Sequence, residues 1–198
     1  MELPLYRIVI NDEDETGCTT ISLVENPAVE IPFLCFSDEH EKELFHADED
    51  KHIISGIAML ADTPIYRNSP TRGEYQIVFE KETIRKMVQK YAKNQLYNLV
   101  NLQHDSNEYI NKCYLIESLI IDKQRGICPN EFQNVPDGSW YISYYVDDEA
   151  LWNEIKNGKH LNGFSIEILS EIEPVELKSQ KNNMNKKLFK MAKTILKL

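Results

Sequence analysis

The stretch Tyr75–Leu102, YQIVFEKETIRKMVQKYAKNQLYNLVNL, changes its hydrophobic period twice, and that change decides the fold class. From Tyr75 to Phe79 apolar and polar residues alternate, as they do in a strand with one buried face. From Glu80 to Leu96 the apolar residues Ile84, Met87, Val88 and Tyr91 recur at three- and four-residue steps, the spacing of one helical face. Leu99–Leu102 is short and apolar and reads as a strand again. Upstream, Leu5–Asn11 and Thr19–Val24 read as strands separated by an acidic turn at Asp12–Gly17. Glu25-Asn26-Pro27-Ala28 ends the second strand, because proline lacks a backbone donor and restricts its predecessor. Ile53–Leu60 is a further apolar strand. Downstream, Cys113–Asp122, Trp140–Val146 and Phe164–Ile172 read as strands. Between the last two, Asp148 is placed to cap a helix over Glu149–Asn157 that buries Leu151, Trp152 and Ile155 and stops at Gly158. About seven or eight strands against two main helices, without regular βαβ alternation, give an α+β class: mainly an antiparallel sheet or small β-barrel flanked by helices.

The 198-residue chain carries 22 Lys plus Arg against 32 Asp plus Glu, a net charge of -10. An acidic protein has no general affinity for nucleic acid, itself a polyanion. No stretch approaches the roughly 18–20 uninterrupted apolar residues that a membrane-spanning helix requires. The N-terminus lacks a basic region followed by an apolar block, so no secretory signal is expected. The charge is unevenly spread. Lys178–Leu198 holds seven lysines and no acid, which leaves 15 basic against 32 acidic residues in 1–177, a net of -17. The reading is a body over 1–177 and a basic amphipathic tail over 178–198, with Leu188, Met191, Ile195 and Leu198 on one helical face.

Cys18, Cys35, Cys113 and Cys128 form no C-x-x-C pair and have no histidine at zinc spacing, so free thiols and no metal cluster are expected. Ser37–Lys51 is rich in acids, with His40, His46 and His52 close by, and reads as a solvated surface segment rather than a metal site. The chain has no phosphate loop, no G-x-G-x-x-G, no H-E-x-x-H and no G-x-S-x-G. No cofactor is expected.

Two segments can hold chemistry. In Asn101-Leu102-Gln103-His104-Asp105 an apolar strand ends in a histidine, and in Asn162-Gly163-Phe164-Ser165-Ile166-Glu167 a serine lies near the start of one. A serine hydroxyl needs a neighbouring base to take its proton, and histidine is the natural base near neutral pH. Such a pair is recognised by geometry rather than by distance along the chain. From composition alone the plainer reading is a strand-end histidine bonded to backbone and a serine satisfied within a sheet, since any chain with five histidines and many serines offers such pairs.

The ordered set of segments resembles the XkdF-type phage serine proteases, relatives of the tailed-phage prohead (capsid maturation) proteases. The segments are Ile21-Ser22-Leu23-Val24-Glu25-Asn26-Pro27-Ala28 with Ile31-Pro32-Phe33, Ser55-Gly56-Ile57-Ala58-Met59, and Pro64-Ile65-Tyr66-Arg67. They continue with Val78-Phe79, Glu82-Thr83-Ile84 and Asn101–Asp105, then Ile116-Glu117-Ser118 with Asp122, and Ser139-Trp140. Trp152, Ile155–Gly158 and Asn162–Glu167 complete the set, which runs from about Arg7 to Ile168.

The resemblance implies an assemblin-like small barrel ringed by helices, with Ser165 as nucleophile and His104 as its general base. In the wider family a Ser-Leu-Val-x-x-Pro-Ala segment follows the strand that carries the serine. Here it lies at Ser22–Ala28, which implies a circular permutation and places residues 19–24 beside 163–169. For the third member Glu117 is the first choice, with Asp105 and Glu167 in reserve. Glu167 shares a strand face with Ser165. The acid that often precedes the Ser-Leu-Val segment is missing here, near Thr20. The implied activity is prohead maturation: cleavage of scaffold and major capsid proteins in the host cytoplasm, inside the prohead, without metal or cofactor. Homo-oligomerisation is compatible with that role. The rival expectation is a non-enzymatic head protein that keeps the protease fold.

Overall fold

The computed structural model describes residues 3–12, 16–27, 34–36, 51–156 and 163–175. The basic tail and the body's boundary with it, the acidic run over 37–50 with His40 and His46, and the segment Ile31–Phe33 lie outside the described residues.

Among the described residues the strands are β1 (Leu5–Val9), β2 (Gly17–Val24), β3 (Leu34–Phe36), β4 (Ile53–Met59), β5 (Ile65–Ser69), β6 (Gly73–Val78), β7 (Val100–Leu102), β8 (Cys113–Ile120), β9 (Trp140–Val146), β10 (Gly163–Leu169) and β11 (Glu171–Pro174). Helix α1 spans Lys81–Lys93 and helix α2 Glu149–Lys156. The α+β class holds, and the described strands form three sheets rather than one closed barrel. Their orders are β11-β1-β6-β5, β10-β2-β7 and β3-β4-β9-β8. Most pairings are antiparallel, but β1 with β6 and β2 with β7 are parallel.

The expected strand Phe164–Ile172 shows why no single ladder runs round the molecule. It breaks at Ser170: β10 pairs with β2, whereas β11 pairs with β1 in another sheet. Residues 19–24 do lie beside 163–169, as the resemblance requires. Any antiparallel neighbours would meet this way, so the pairing does not by itself establish a permuted chain order.

Apolar patterning places the core between the sheets and α1. Ile84, Met87 and Tyr91 point inward from α1, and Val88 flanks them half-buried. Tyr91 packs edge-on against Trp140 with ring centroids 5.3 Å apart, and its hydroxyl lies 3.3 Å from that of Tyr144. Strand β4 is buried almost throughout, as a near-continuous apolar run should be when both its faces are covered. Its Ile54 and Met59 join the main core, and Ile57 joins a smaller cluster with Phe132 and Tyr141. Helix α2 begins as its sequence predicts: the Leu151 N–H donates to Asp148 Oδ1 at 3.0 Å, and Leu151, Trp152 and Ile155 are buried.

Candidate active site

Strand β2 occupies the middle of its sheet, so both its neighbours project onto Ser22. On one side β7 pairs Asn101 with Ser22, and on the other β10 pairs Ser165 with Ser22. Paired residues share a sheet face, which sets Asn101, Ser22 and Ser165 in one row. Glu167, two residues along β10, stands on the same face opposite Thr20. Immediately beyond it the ladder slips at a bulge, where the Thr19 hydroxyl donates to the Glu167 carbonyl at 3.2 Å.

The row needs a base, and the chain supplies one by turning sharply after β7. Gln103 and His104 both adopt left-handed backbone, with φ of 51° and 63°. Non-glycine residues reach that region at a cost of order 1 kcal/mol or more each, so the surroundings must hold them there. The Gln103 N–H donates to the Leu23 carbonyl at 3.0 Å and the Asp105 N–H to the Leu102 carbonyl at 2.8 Å. The Asp105 carboxylate accepts from the Asn107 N–H at 2.8 Å. Asp105 therefore braces the loop, and its carboxylate is engaged away from the imidazole.

The turn lays the His104 ring across the row. His104 Nε2 lies 3.1 Å from Ser165 Oγ, and Nδ1 lies 3.0 Å from Ser22 Oγ and 3.4 Å from Glu167 Oε1. Ser22 Oγ is 3.3 Å from the same Glu167 oxygen, and Asn101 Nδ2 donates to that oxygen at 2.7 Å. The assembly grades from wet to dry. The His104 side chain is 44% exposed and that of Glu167 33%, whereas Ser22 and Asn101 are fully buried. Asn101 Oδ1 is buried without a partner among the described residues, a cost of roughly 1–3 kcal/mol that the side chain bears while its amide holds Glu167.

Gly163, at the start of β10, fits because of what lies above it. A Cβ there would meet the Pro27 ring at 2.7 Å, so proline and glycine from two distant motifs interlock and fix where the Ser165 strand begins. Beside Ser165 opens a cavity of about 270 Å³, lined mainly by apolar side chains such as Met59, Phe79, Phe164 and Ile166, and also by Arg67.

Glu117 is elsewhere. It lies on β8, in the β3-β4-β9-β8 sheet, and its carboxylate accepts from the hydroxyls of Ser143 and Tyr141. The antiparallel return that was expected to bring it to His104 runs instead along β9, in a sheet that does not contain β7. Glu167 is the carboxylate within reach of the imidazole. Ser22, a polar residue between Ile21 and Leu23, carries the sequence signal for its part. Nothing in composition or spacing marks Asn101 or Arg67.

Cys18 and Cys113 are free and buried, and burial pushes both thiols up to about 12; Cys128 is free and half-buried. Among the described residues no group of three His, Cys, Asp or Glu side chains is placed to hold a metal ion, and no helix is long and apolar enough to cross a membrane.

A hydroxyl hydrogen-bonded to one nitrogen of an imidazole, with the other nitrogen turned to a carboxylate, is the constellation of a serine hydrolase. The comparison with known families agrees with that class. The chain belongs to the family described as "Putative phage serine protease XkdF", which matches residues 41–173. The match does not reach β1 and β2, so Ser22 joins the site from outside it. No curated protein and no solved structure matches the chain.

Proposed function

We propose that the chain is the serine endopeptidase of phage prohead maturation, with Ser165 as nucleophile and His104 as general base. The single observation that carries the reading is the 3.1 Å approach of Ser165 Oγ to His104 Nε2, on an imidazole whose Nδ1 faces Ser22 and Glu167. In the tautomer this geometry favours, Nδ1–H donates to Ser22 Oγ and the Ser22 hydroxyl donates to Glu167. Nε2 is then left to accept from Ser165. As Ser165 Oγ bonds to the substrate carbonyl carbon, its proton passes to Nε2, and the imidazolium gains the Glu167 charge 3.4 Å away. Collapse of the tetrahedral intermediate breaks the C–N bond, and Nε2 gives its proton to the leaving amine. Water, deprotonated by the same nitrogen, then hydrolyses the acyl ester.

In this reading Glu167 takes the third role in place of Glu117. The carboxylate missing near Thr20 reaches the same spot from the neighbouring strand, because Glu167 pairs with Thr20. The proposed substrates are scaffold and major capsid proteins inside the prohead, with the basic tail over 178–198 as a tether. A non-enzymatic head protein has no use for an exposed imidazole held in left-handed backbone against a serine. Co-expression of Ser165→Ala with the capsid and scaffold proteins tests the role. Uncleaved substrates that accumulate only with the variant support it, and equal processing with both chains overturns it.

A further inference from the structure

We propose that Asn101 is a positioning residue for the reaction: its buried amide pins the Glu167 carboxylate against the His104–Ser22 pair. The inference rests on the reading of Ser165 as nucleophile. Three polar groups converge on one oxygen of Glu167. Asn101 Nδ2 lies 2.7 Å from Oε1, Ser22 Oγ 3.3 Å and His104 Nδ1 3.4 Å. The Ser22 hydroxyl and the imidazole hold protons whose bonding changes as the proposed reaction proceeds. The Asn101 N–H groups do not titrate, and theirs is the shortest of the three contacts. Glu167 needs such an anchor. It sits on the terminal strand β10, its side chain is 33% exposed, and the ladder with β2 slips directly after it. A carboxylate so placed is free to turn to water and leave Nδ1 without a charge to face. Asn101 is its opposite: fully buried on β7, with its backbone paired to Ser22.

The other end of the same amide shows how little the fold gains from it. Asn101 Oδ1 is buried without a partner among the described residues, in a strand whose other members, Val100 and Leu102, are apolar. Turning the amide over would set Oδ1 against Glu167 Oε1, acceptor to acceptor, and leave the N–H groups unpaired instead. A leucine, branched at Cγ as asparagine is, would bring no unsatisfied atom into the ladder. The donor that Glu167 lost would be one that water can replace, since its side chain is partly exposed. Asparagine is thus the poorer residue for the sheet and the better one for the imidazole. A local conflict of that kind, set beside a nucleophile and its base, belongs to the site rather than to the fold.

The test uses the full chain and a small fluorophosphonate, which modifies a serine nucleophile, with the rate of labelling at Ser165 as the measurement. Folded Asn101→Leu is expected to label about 10- to 100-fold more slowly than wild type, the cost of a carboxylate that no longer holds its place. Glu167→Gln supplies the readout that a purely structural role would not move. If Asn101 acts by placing the Glu167 charge, the two losses overlap, so Asn101→Leu in the Glu167→Gln background should change the rate by less than about threefold. Asn101→Asp keeps the shape and exchanges the donor for an acceptor; it should also slow labelling, and it carries the test if Asn101→Leu fails to fold. A wild-type rate in the folded Asn101 variant overturns the role of Asn101 and leaves the nucleophile intact. A loss of equal size with and without the Glu167 charge does the same, as does a Glu167→Gln chain that labels at the wild-type rate. No labelling of wild-type Ser165 overturns the nucleophile reading itself.

Discussion

Ser22 and Ser165 stand directly opposite each other across the β2–β10 ladder, and a single imidazole separates their duties. Ser165 meets Nε2 of His104 and Ser22 meets Nδ1. Two hydroxyls of the same chemistry are distinguished by surroundings: Ser22 is fully buried on the central strand beside Glu167, and Ser165 is half-buried on the edge strand β10.

That division predicts unequal losses. Ser165→Ala and His104→Ala should each lower kcat/KM on a cleaved capsid or scaffold peptide by at least about 10³-fold. Ser22→Ala should cost only about 10- to 100-fold, because Glu167 still lies 3.4 Å from Nδ1 and can accept from it directly. All three chains should melt as one cooperative unit, which separates lost chemistry from lost fold. A Ser22→Ala loss as large as that of Ser165→Ala would reverse the assignment of the two hydroxyls.

Glu167 and Glu117 should separate cleanly. Glu167→Gln removes the charge facing the imidazole and should lower kcat by about 10²- to 10⁴-fold, while Glu117→Ala should leave kcat/KM within about threefold. Glu117→Ala should instead cost about 1 kcal/mol in a urea melt, since the Ser143 and Tyr141 hydroxyls lose an acceptor. A kcat that falls with Glu117 and not with Glu167 would restore Glu117 to the third role.

Gly163→Ala should destabilise the chain by roughly 1–3 kcal/mol, because the new methyl would overlap the rigid Pro27 ring at 2.7 Å. Pairing it with Pro27→Ala should recover much of that loss. If the double variant is no better than Gly163→Ala alone, the contact does not set the start of β10.

The buried thiols set an alkaline limit. In the unfolded chain a thiol loses its proton near pH 8.5, whereas folded Cys18 and Cys113 hold theirs to about 12. Above roughly pH 9 the unfolded state binds fewer protons, so stability falls as pH rises, by up to about 1.4 kcal/mol per pH unit per thiol. It is fully present below pH 8. Burial raises Tyr91 and Tyr144 in the same direction, so the fall steepens above pH 10. Urea melts between pH 8 and 11 should show this slope, and Cys18→Ala should make it shallower.

Much of the fold could be read from the chain because its signals are local. Period changes around Tyr75–Leu102 give β6, α1 and β7 to within a few residues, and Asp148 marks the start of α2. Strand β5, with polar residues at Arg67, Asn68 and Ser69, lacks an apolar run and carries no strand signal of its own. The number of sheets was not legible either, since nothing in Phe164–Ile172 declares that the two sides of Ser170 take different partners. In the site, the Ser165–His104 proximity follows from motifs that the family resemblance singles out. Which carboxylate lies beside the imidazole was not legible because it depends on register: Glu167 reaches Nδ1 through pairing with Thr20, and Glu117 departs along β9. Register is a long-range property, and a strand alternates in the same way whichever neighbour it takes.

The order of strands in β10-β2-β7 also governs when the Ser165–His104 pair can form. Strand β2 precedes the residues that complete its row, which follow with β7 and, later in the chain, with β10. A nascent chain thus holds an imidazole with nothing to activate until the strand bearing Ser165 has been synthesised and zipped onto a partner made long before. Under the proposed reading of Ser165 as nucleophile, synthesis of the imidazole and completion of the pair are separated by topology alone, because the pair forms only when the β2–β10 ladder closes.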